Sequence, residues 1–153
     1  MIVRVLSVLS LIAVLTASAR AQERQWIFET GTDDAYLIFG VPETDDVGIS
    51  FWCSAHSGEV RIFIPEADPV MKPDRDVSFV VSVGEETFKI DGKTAANEMS
   101  DTTSIEAAVS ATEPLFAALQ KADRFKVVTG AVEHVYPLIE ADVAGLIGLC
   151  RSP

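Results

Sequence analysis

Cys53 and Cys150 are the only two cysteines in the chain, and each closes an apolar pattern of a different period. In VGISFWC, residues 47–53, an extended backbone puts Val47, Ile49, Phe51 and Cys53 on one side and Gly48, Ser50 and Trp52 on the other, because successive strand side chains alternate between faces. Near the C-terminus, Ile139, Val143, Leu146, Ile147 and Cys150 recur by steps of four, three, one and three, the stripe of an amphipathic helix. Independent periodicities therefore aim both sulfurs at the core. A disulfide clipping the last helix onto the third strand is the economical expectation. It would close a loop of about 100 residues, worth about 4–5 kcal/mol in lost freedom of the unfolded chain. That is comparable with the whole net stability of a small domain.

A disulfide requires an oxidising compartment, and the N-terminus offers a route to one. MIVRVLSVLSLIAVLTASARA carries Arg4, an apolar run over residues 5–17 and the small-residue pattern Ala19, Arg20, Ala21. This is the layout of a secretory signal peptide, with cleavage expected after Ala21. The run is shorter than the roughly 20 apolar residues a transmembrane helix needs, so no integral membrane span is expected in the mature chain. Residues 1–21 are thus read as signal peptide and residues 22–153 as a single domain, periplasmic or secreted. Losing Arg4 and Arg20 from the 12 basic residues leaves 10 against 23 acidic ones, so the net charge of -11 becomes -13. Phosphate backbones and anionic lipid surfaces demand clustered Lys and Arg. Nucleic acid is excluded as a partner on this ground, and a cationic protein or peptide is favoured.

No repeat, low-complexity tract or proline-rich linker interrupts the mature chain. Short alternating segments at residues 26–29, 36–39, 47–53, 60–64, 77–83 and 87–90 read as strands, separated by polar and glycine-containing turns. Residues 68–76, DPVMKPDRD, hold two prolines and read as an irregular loop. After Asn97 a polar stretch leads to Thr112, Glu113 and Pro114, a helix start with a capping hydroxyl and an early proline. That helix is expected to end near Asp123. Residues 125–129 and 132–136 read as two more strands around Gly130, and a final helix is expected from Pro137 or Leu138 to Cys150. The fold class is α+β: a mainly antiparallel β-sheet or sandwich, with two short helices in the C-terminal third.

Cys53 and His56 raise the question of a chemical site. Cys53, His56, His134 and Cys150 are a ligand set that zinc accepts, and Cys-x-x-His is a workable spacing, but His134 and Cys150 lack the compact loop that presents a second ligand pair. A thiolate nucleophile would have to be accessible beside His56, whereas alternation buries Cys53. Ser54, His56 and Ser57 offer a hydroxyl and a base, yet they are neighbours in one turn. His56 is expected as a solvated turn residue, and His134, in phase with Val132 and Tyr136, as a half-buried strand residue. Paired carboxylates at Asp33 and Asp34, Asp45 and Asp46, Asp74 and Asp76, and Glu85 and Glu86 fall in turns without a calcium-loop pattern. No cofactor or metal is implied, and no catalytic residue is assigned.

On the face opposite Phe51, Trp52 looks outward, and Phe63 does so on the next strand. Trp52, His56 and Phe63 are the candidate binding residues, either as an exposed patch or covered by the helices or the proline loop, the second being expected. The closing stretch VYPLIEADVAGLIGLC, residues 135–150, is similar in layout to the ends of small exported bacterial proteins. It resembles the invasion-associated locus B proteins, in which a strand breaks at a leucine and runs into a short Ala/Gly/Leu helix. The further cysteines of that family are missing here, so only the exported character is implied. Ser57 and Gly58 are similar to the Ser-Gly motif of periplasmic lysozyme inhibitors, whose small barrels lack the two helices expected here. The function expected is that of an exported, non-enzymatic binding or protein-interaction domain. The alternative is a small hydrolase or metal-dependent enzyme using His56 and His134, which would have to approach each other. A third reading, carriage of a hydrophobic cargo, would need a closed apolar cavity between sheet and helices.

Overall fold

The computed structural model describes residues 23–97 and 102–151. The expected signal peptide lies outside the described residues. The strands are β1 (Gln25–Thr30), β2 (Asp34–Gly40), β3 (Val47–Ser54), β4 (Glu59–Ile64), β5 (Asp76–Val83), β6 (Glu86–Asn97), β7 (Thr102–Ser110), β8 (Arg124–Thr129) and β9 (Val132–Pro137). The helices are α1 (Pro114–Leu119) and α2 (Val143–Cys150). The nine strands form one antiparallel sheet in the order β1-β2-β3-β4-β7-β6-β5-β8-β9, curled as a half-barrel. The expected antiparallel sheet and two late helices are present. The two-layer sandwich is not the arrangement, since one continuous run of hydrogen-bonded ladders joins every strand to its neighbours.

Period-two alternation decides which side chains go inside. Ile49, Phe51 and Cys53 of β3, Val60, Ile62 and Ile64 of β4, and Phe79, Val81 and Val83 of β5 are all buried on the inner face. Aromatic rings fill the centre, with Phe51 6.2 Å from both Trp26 and Phe125 and edge-on to Phe116 of α1 at 6.5 Å. Curling brings the two ends of the sheet together. The Trp26 indole of β1 donates to the Pro137 carbonyl at the end of β9, and the Tyr136 hydroxyl donates to the Gly48 carbonyl at 3.0 Å. Gly48 permits this approach, because a Cβ there would sit 3.3 Å from the Tyr136 ring.

β7 is a strand where the sequence pattern assigns none. The polar stretch after Asn97 is a strand from Thr102, carrying Ile105 and Ala107 into the core. α1 begins at Pro114 as expected but takes Glu113 at its N-cap without a side-chain bond, and it ends at Leu119, short of Asp123. α2 also starts later than expected. Leu138 is still tied to the preceding loop through Asp123, its N–H donating to that carbonyl at 2.8 Å, and Glu140 takes a positive φ of 67°. Asp142 then caps the helix, its carboxylate accepting from the Gly145 N–H at 2.8 Å. Ile139 therefore leaves the apolar stripe and is 73% exposed. The rest of the stripe is buried, and Cys150 meets Cys53 in a disulfide with a Cα–Cα distance of 5.6 Å.

Candidate functional site

The stretch from Cys53 to Gly58 is a structural corner. Its turn needs a left-handed residue at His56, φ 59°, and another at Gly58, φ 75°. The reversed backbone points amides at the C-terminal end of α2, where carbonyls have no partner within the helix. His56 N–H donates to Leu149 O and Gly58 N–H to Cys150 O, each at 2.8 Å. The His56 ring completes the corner, with Nδ1 3.2 Å from the Arg151 carbonyl. The exposed His56 thus lies against the end of the last helix.

His134 sits elsewhere. It is half-buried on β9, its ring 6.2 Å from that of Tyr136. Tyr136 is bonded to Gly48, near the start of β3, while His56 follows the end of that strand. Gly48 and Ser54 are six residue steps apart on this strand, about 20 Å of extended chain at about 3.3 Å per residue. No hydrogen bond or ring contact joins the two histidines. Among the described residues no group of three His, Cys, Asp or Glu side chains is placed to hold a metal ion, and no helix is long and apolar enough to cross a membrane.

The outer face of the sheet is different in kind. Both helices pack on the inner face, α2 through Cys150 and α1 through Phe116, and the outer side of β2, β3, β4, β7 and β6 holds an open groove of about 730 Å³. Register places its side chains in two rows across the strands. One runs Tyr36, Trp52, Arg61, Ala108, and the other Ser50, Phe63, Glu106, Lys93, Asp76. In the first row Tyr36 stacks on Trp52 at 6.0 Å and 17°, and the Arg61 guanidinium stands 5.2 Å from the Trp52 ring centre. In the second, small Ser50 of β3 sits directly opposite Phe63 of β4 and two residues from Trp52 on its own strand, and both aromatics are partly exposed. Trp52 and Phe63 thus lie on one open face, not under the helices or the proline loop. His56 does not line the groove.

Acidic groups border this aromatic floor. Lys93 Nζ is 3.9 Å from Asp76, Arg61 Nε is 3.6 Å from Glu59, and Asp91 accepts from the Ser78 hydroxyl at 2.6 Å. Exposed pairs of this kind hold their side chains only weakly, at about 0–1 kcal/mol each. Both cations therefore remain free to rearrange around a ligand. Sequence alone does not single out Tyr36, Arg61, Lys93 and Glu106. The alternation that turns Trp52 outward applies equally to Tyr36 beside Leu37, but placing Glu106 and Lys93 requires the strand β7, which carries no clear strand signal.

Two polar groups with shifted titration lie away from the groove. Asp68 Oδ1 accepts from the Val70 N–H at 3.0 Å and Oδ2 from the Ala131 N–H at 2.7 Å, clamping the β8 to β9 turn. These backbone bonds, that of Val70 foremost, hold its carboxyl below the usual carboxylate range. Gly130 in that turn has φ 62°, and a Cβ on it would strike the Asp68 carboxylate. Burial pushes the Tyr136 hydroxyl up to about 12. Both groups act in the framework.

No family model matches this chain, and no curated protein or solved structure is significantly similar to it.

Proposed function

We propose that this chain is an exported, non-enzymatic binding domain whose outer sheet face receives a cationic protein or peptide. The observation that carries the reading is the uncovered groove with Tyr36, Trp52 and Phe63 on its floor and Asp76, Asp91 and Glu106 along it. Aromatic rings supply large, stiff contact area with a negative face that attracts cations. Asp76, Asp91 and Glu106 outnumber Arg61 and Lys93 in the groove by one charge, and the whole chain carries a net charge of -11. Export is supported by the leader-like N-terminus and by a disulfide, a bond that persists in oxidising compartments.

The test is binding of eight-residue peptides graded from acidic to basic, measured by calorimetry on the purified protein. Affinity should rise with positive charge and fall as NaCl is raised from about 0.05 M to about 0.5 M, which shortens the screening length severalfold. Trp52→Ala should weaken it by about tenfold or more, as loss of a central aromatic anchor does. Binding indifferent to peptide charge, or untouched by Trp52→Ala, would overturn the reading.

A further inference from the structure

β9 ends the sheet and is hydrogen-bonded to β8 alone. The eight ladders joining the nine strands are all antiparallel, so β1 and β9, at the two ends, run in the same direction. Trp26, the second residue of β1, bonds to Pro137, the last of β9. β1 therefore runs on past the end of β9 and does not flank it. Arg24, just before β1, is drawn instead to Asp46 in the β2 to β3 turn. Among the described residues, the edge of β9 from Val132 to Tyr136 has no neighbouring strand on its far side.

Backbone direction along this edge follows from the bonds at its end. Leu138 N–H donates to Asp123 O on the β8 side at 2.8 Å, and the two-residue period of a strand turns Tyr136, His134 and Val132 to β8 as well. Pro137, Val135 and Glu133 turn the other way, in keeping with the Pro137 carbonyl meeting Trp26. Glu133 and Val135 thus each hold out an N–H and a C=O along an open edge, a template for strand pairing. Val70, Val135 and Ile139 are the exposed large hydrophobic side chains among the described residues, and all three lie along this edge. Val135 is on it, and Ile139 is two residues beyond its end. Val70 stands at the hairpin turn where β9 begins, since the Asp68 carboxylate bonds the amides of both Val70 and Ala131.

We propose that the edge is closed by a second copy of this chain, the two β9 strands pairing antiparallel about a two-fold axis at His134. Such an interface is self-complementary, the same patch serving both copies, and three registers are open to it. Centred on Glu133, the strands would set like carboxylates opposite each other. Centred on Val135, Glu133 would face Pro137, which has no N–H and whose carbonyl is taken by Trp26. Centred on His134, Glu133 of each copy meets Val135 of the other, and two such pairs at two bonds each make four backbone bonds. The same register brings Ile139 of each copy level with Thr129 at the other's turn, beside Val70, so the three exposed apolar side chains are covered together. Local charge does not oppose the contact, because Glu133 is already paired with Lys126 at 3.2 Å. None of these residues lines the groove, which stays open to a ligand.

Sedimentation equilibrium of the purified protein tests the pairing. At about 1 mM, the weak end of the affinity scale, the mass should be twice that of one chain. Val135→Pro removes one donor per copy without breaking a bond to β8, a change that an edge strand tolerates. It should weaken the dimer about tenfold or more, with circular dichroism confirming that the variant folds. His134→Cys supplies a readout independent of that variant, because directly opposed residues of an antiparallel pair lie about 4.5–5.5 Å apart at Cα, within disulfide reach. Mild oxidation should link two His134→Cys chains through their new thiols, and should link Lys89→Cys, exposed on β6, far more slowly. Raising NaCl should tighten the dimer, since screening relieves the repulsion between two chains of net charge -11, whereas it weakens the peptide binding proposed above. A single-chain mass at about 1 mM, a Val135→Pro dimer as tight as wild type, or equal cross-linking of the two cysteine variants overturns self-pairing and leaves the groove reading standing.

Discussion

Opening the Cys53–Cys150 bridge should cost this domain most of its margin, and the amount can be worked from the loop it closes. The two cysteines are separated by 97 positions. Loop closure on that scale removes about 16 cal/mol/K from the unfolded chain, about 4.7 kcal/mol at 25 °C. On the folded side little is lost: Val143, Leu146 and Ile147 stay buried, and the amides of His56 and Gly58 still hold the carbonyls of Leu149 and Cys150. The effect therefore falls on the unfolded state. With a urea m-value of about 2 kcal/mol/M for a chain of this size, the midpoint should drop by about 2 M. The m-value should itself rise, because an unlinked chain exposes more surface. The assay is urea unfolding followed by circular dichroism and by tryptophan fluorescence, for the oxidised protein, the reduced protein and the Cys53→Ala/Cys150→Ala variant. A drop below about 0.5 M, roughly 1 kcal/mol, with unchanged m in both unlinked forms would refute the loop-entropy argument.

Tyr136 and Asp68 predict opposite limbs of the stability profile. Tyr136 has a folded-state pKa raised from 10.0 to about 12 by burial, so its contribution is intact below pH 10 and is lost as pH climbs toward 12, about 2–3 kcal/mol in all. Thermal melts should show that alkaline loss in wild type and its absence in Tyr136→Phe; parallel decline of the two would sink the assignment. Asp68 has a lowered folded-state pKa, so its contribution is present above the ordinary carboxylate value and is lost as pH falls through the depressed one. Asp68→Asn, which turns one acceptor into a donor facing an N–H, should melt below wild type at pH 7 and draw level with it in strong acid. A constant gap across that range would show that the carboxylate charge is irrelevant to the turn.

Where one strong pattern governs a segment, the sequence is readable. Alternation over residues 47–53 and the stripe through Val143, Leu146, Ile147 and Cys150 place the disulfide, because both patterns end on buried positions. β7 escapes such a reading for a physical reason. Its inward positions include only one large aliphatic at full burial, Ile105, while Ala107 must stay small where Gly92 approaches, its Cβ lying 3.3 Å from where a side chain on that glycine would begin. A strand built around close backbone contact carries little hydrophobic signal. Periodicity sets the start of α2 too early because Leu138 is buried for its own reason, and the capping carboxylate of Asp142 marks the better boundary. The groove is half legible: alternation exposes Trp52 and Tyr36, but which strands stand side by side is decided by long-range pairing that no local period encodes.

The indole of Trp26 reaches a carbonyl 111 positions further along the chain. A half-barrel whose first and last strands are tied by such a bond cannot complete its core piecemeal from the N-terminus. Until β9 and the final helix have emerged, Trp26 and the aromatic cluster around it have no lid, and whatever holds the nascent polypeptide must keep that surface from finding another one.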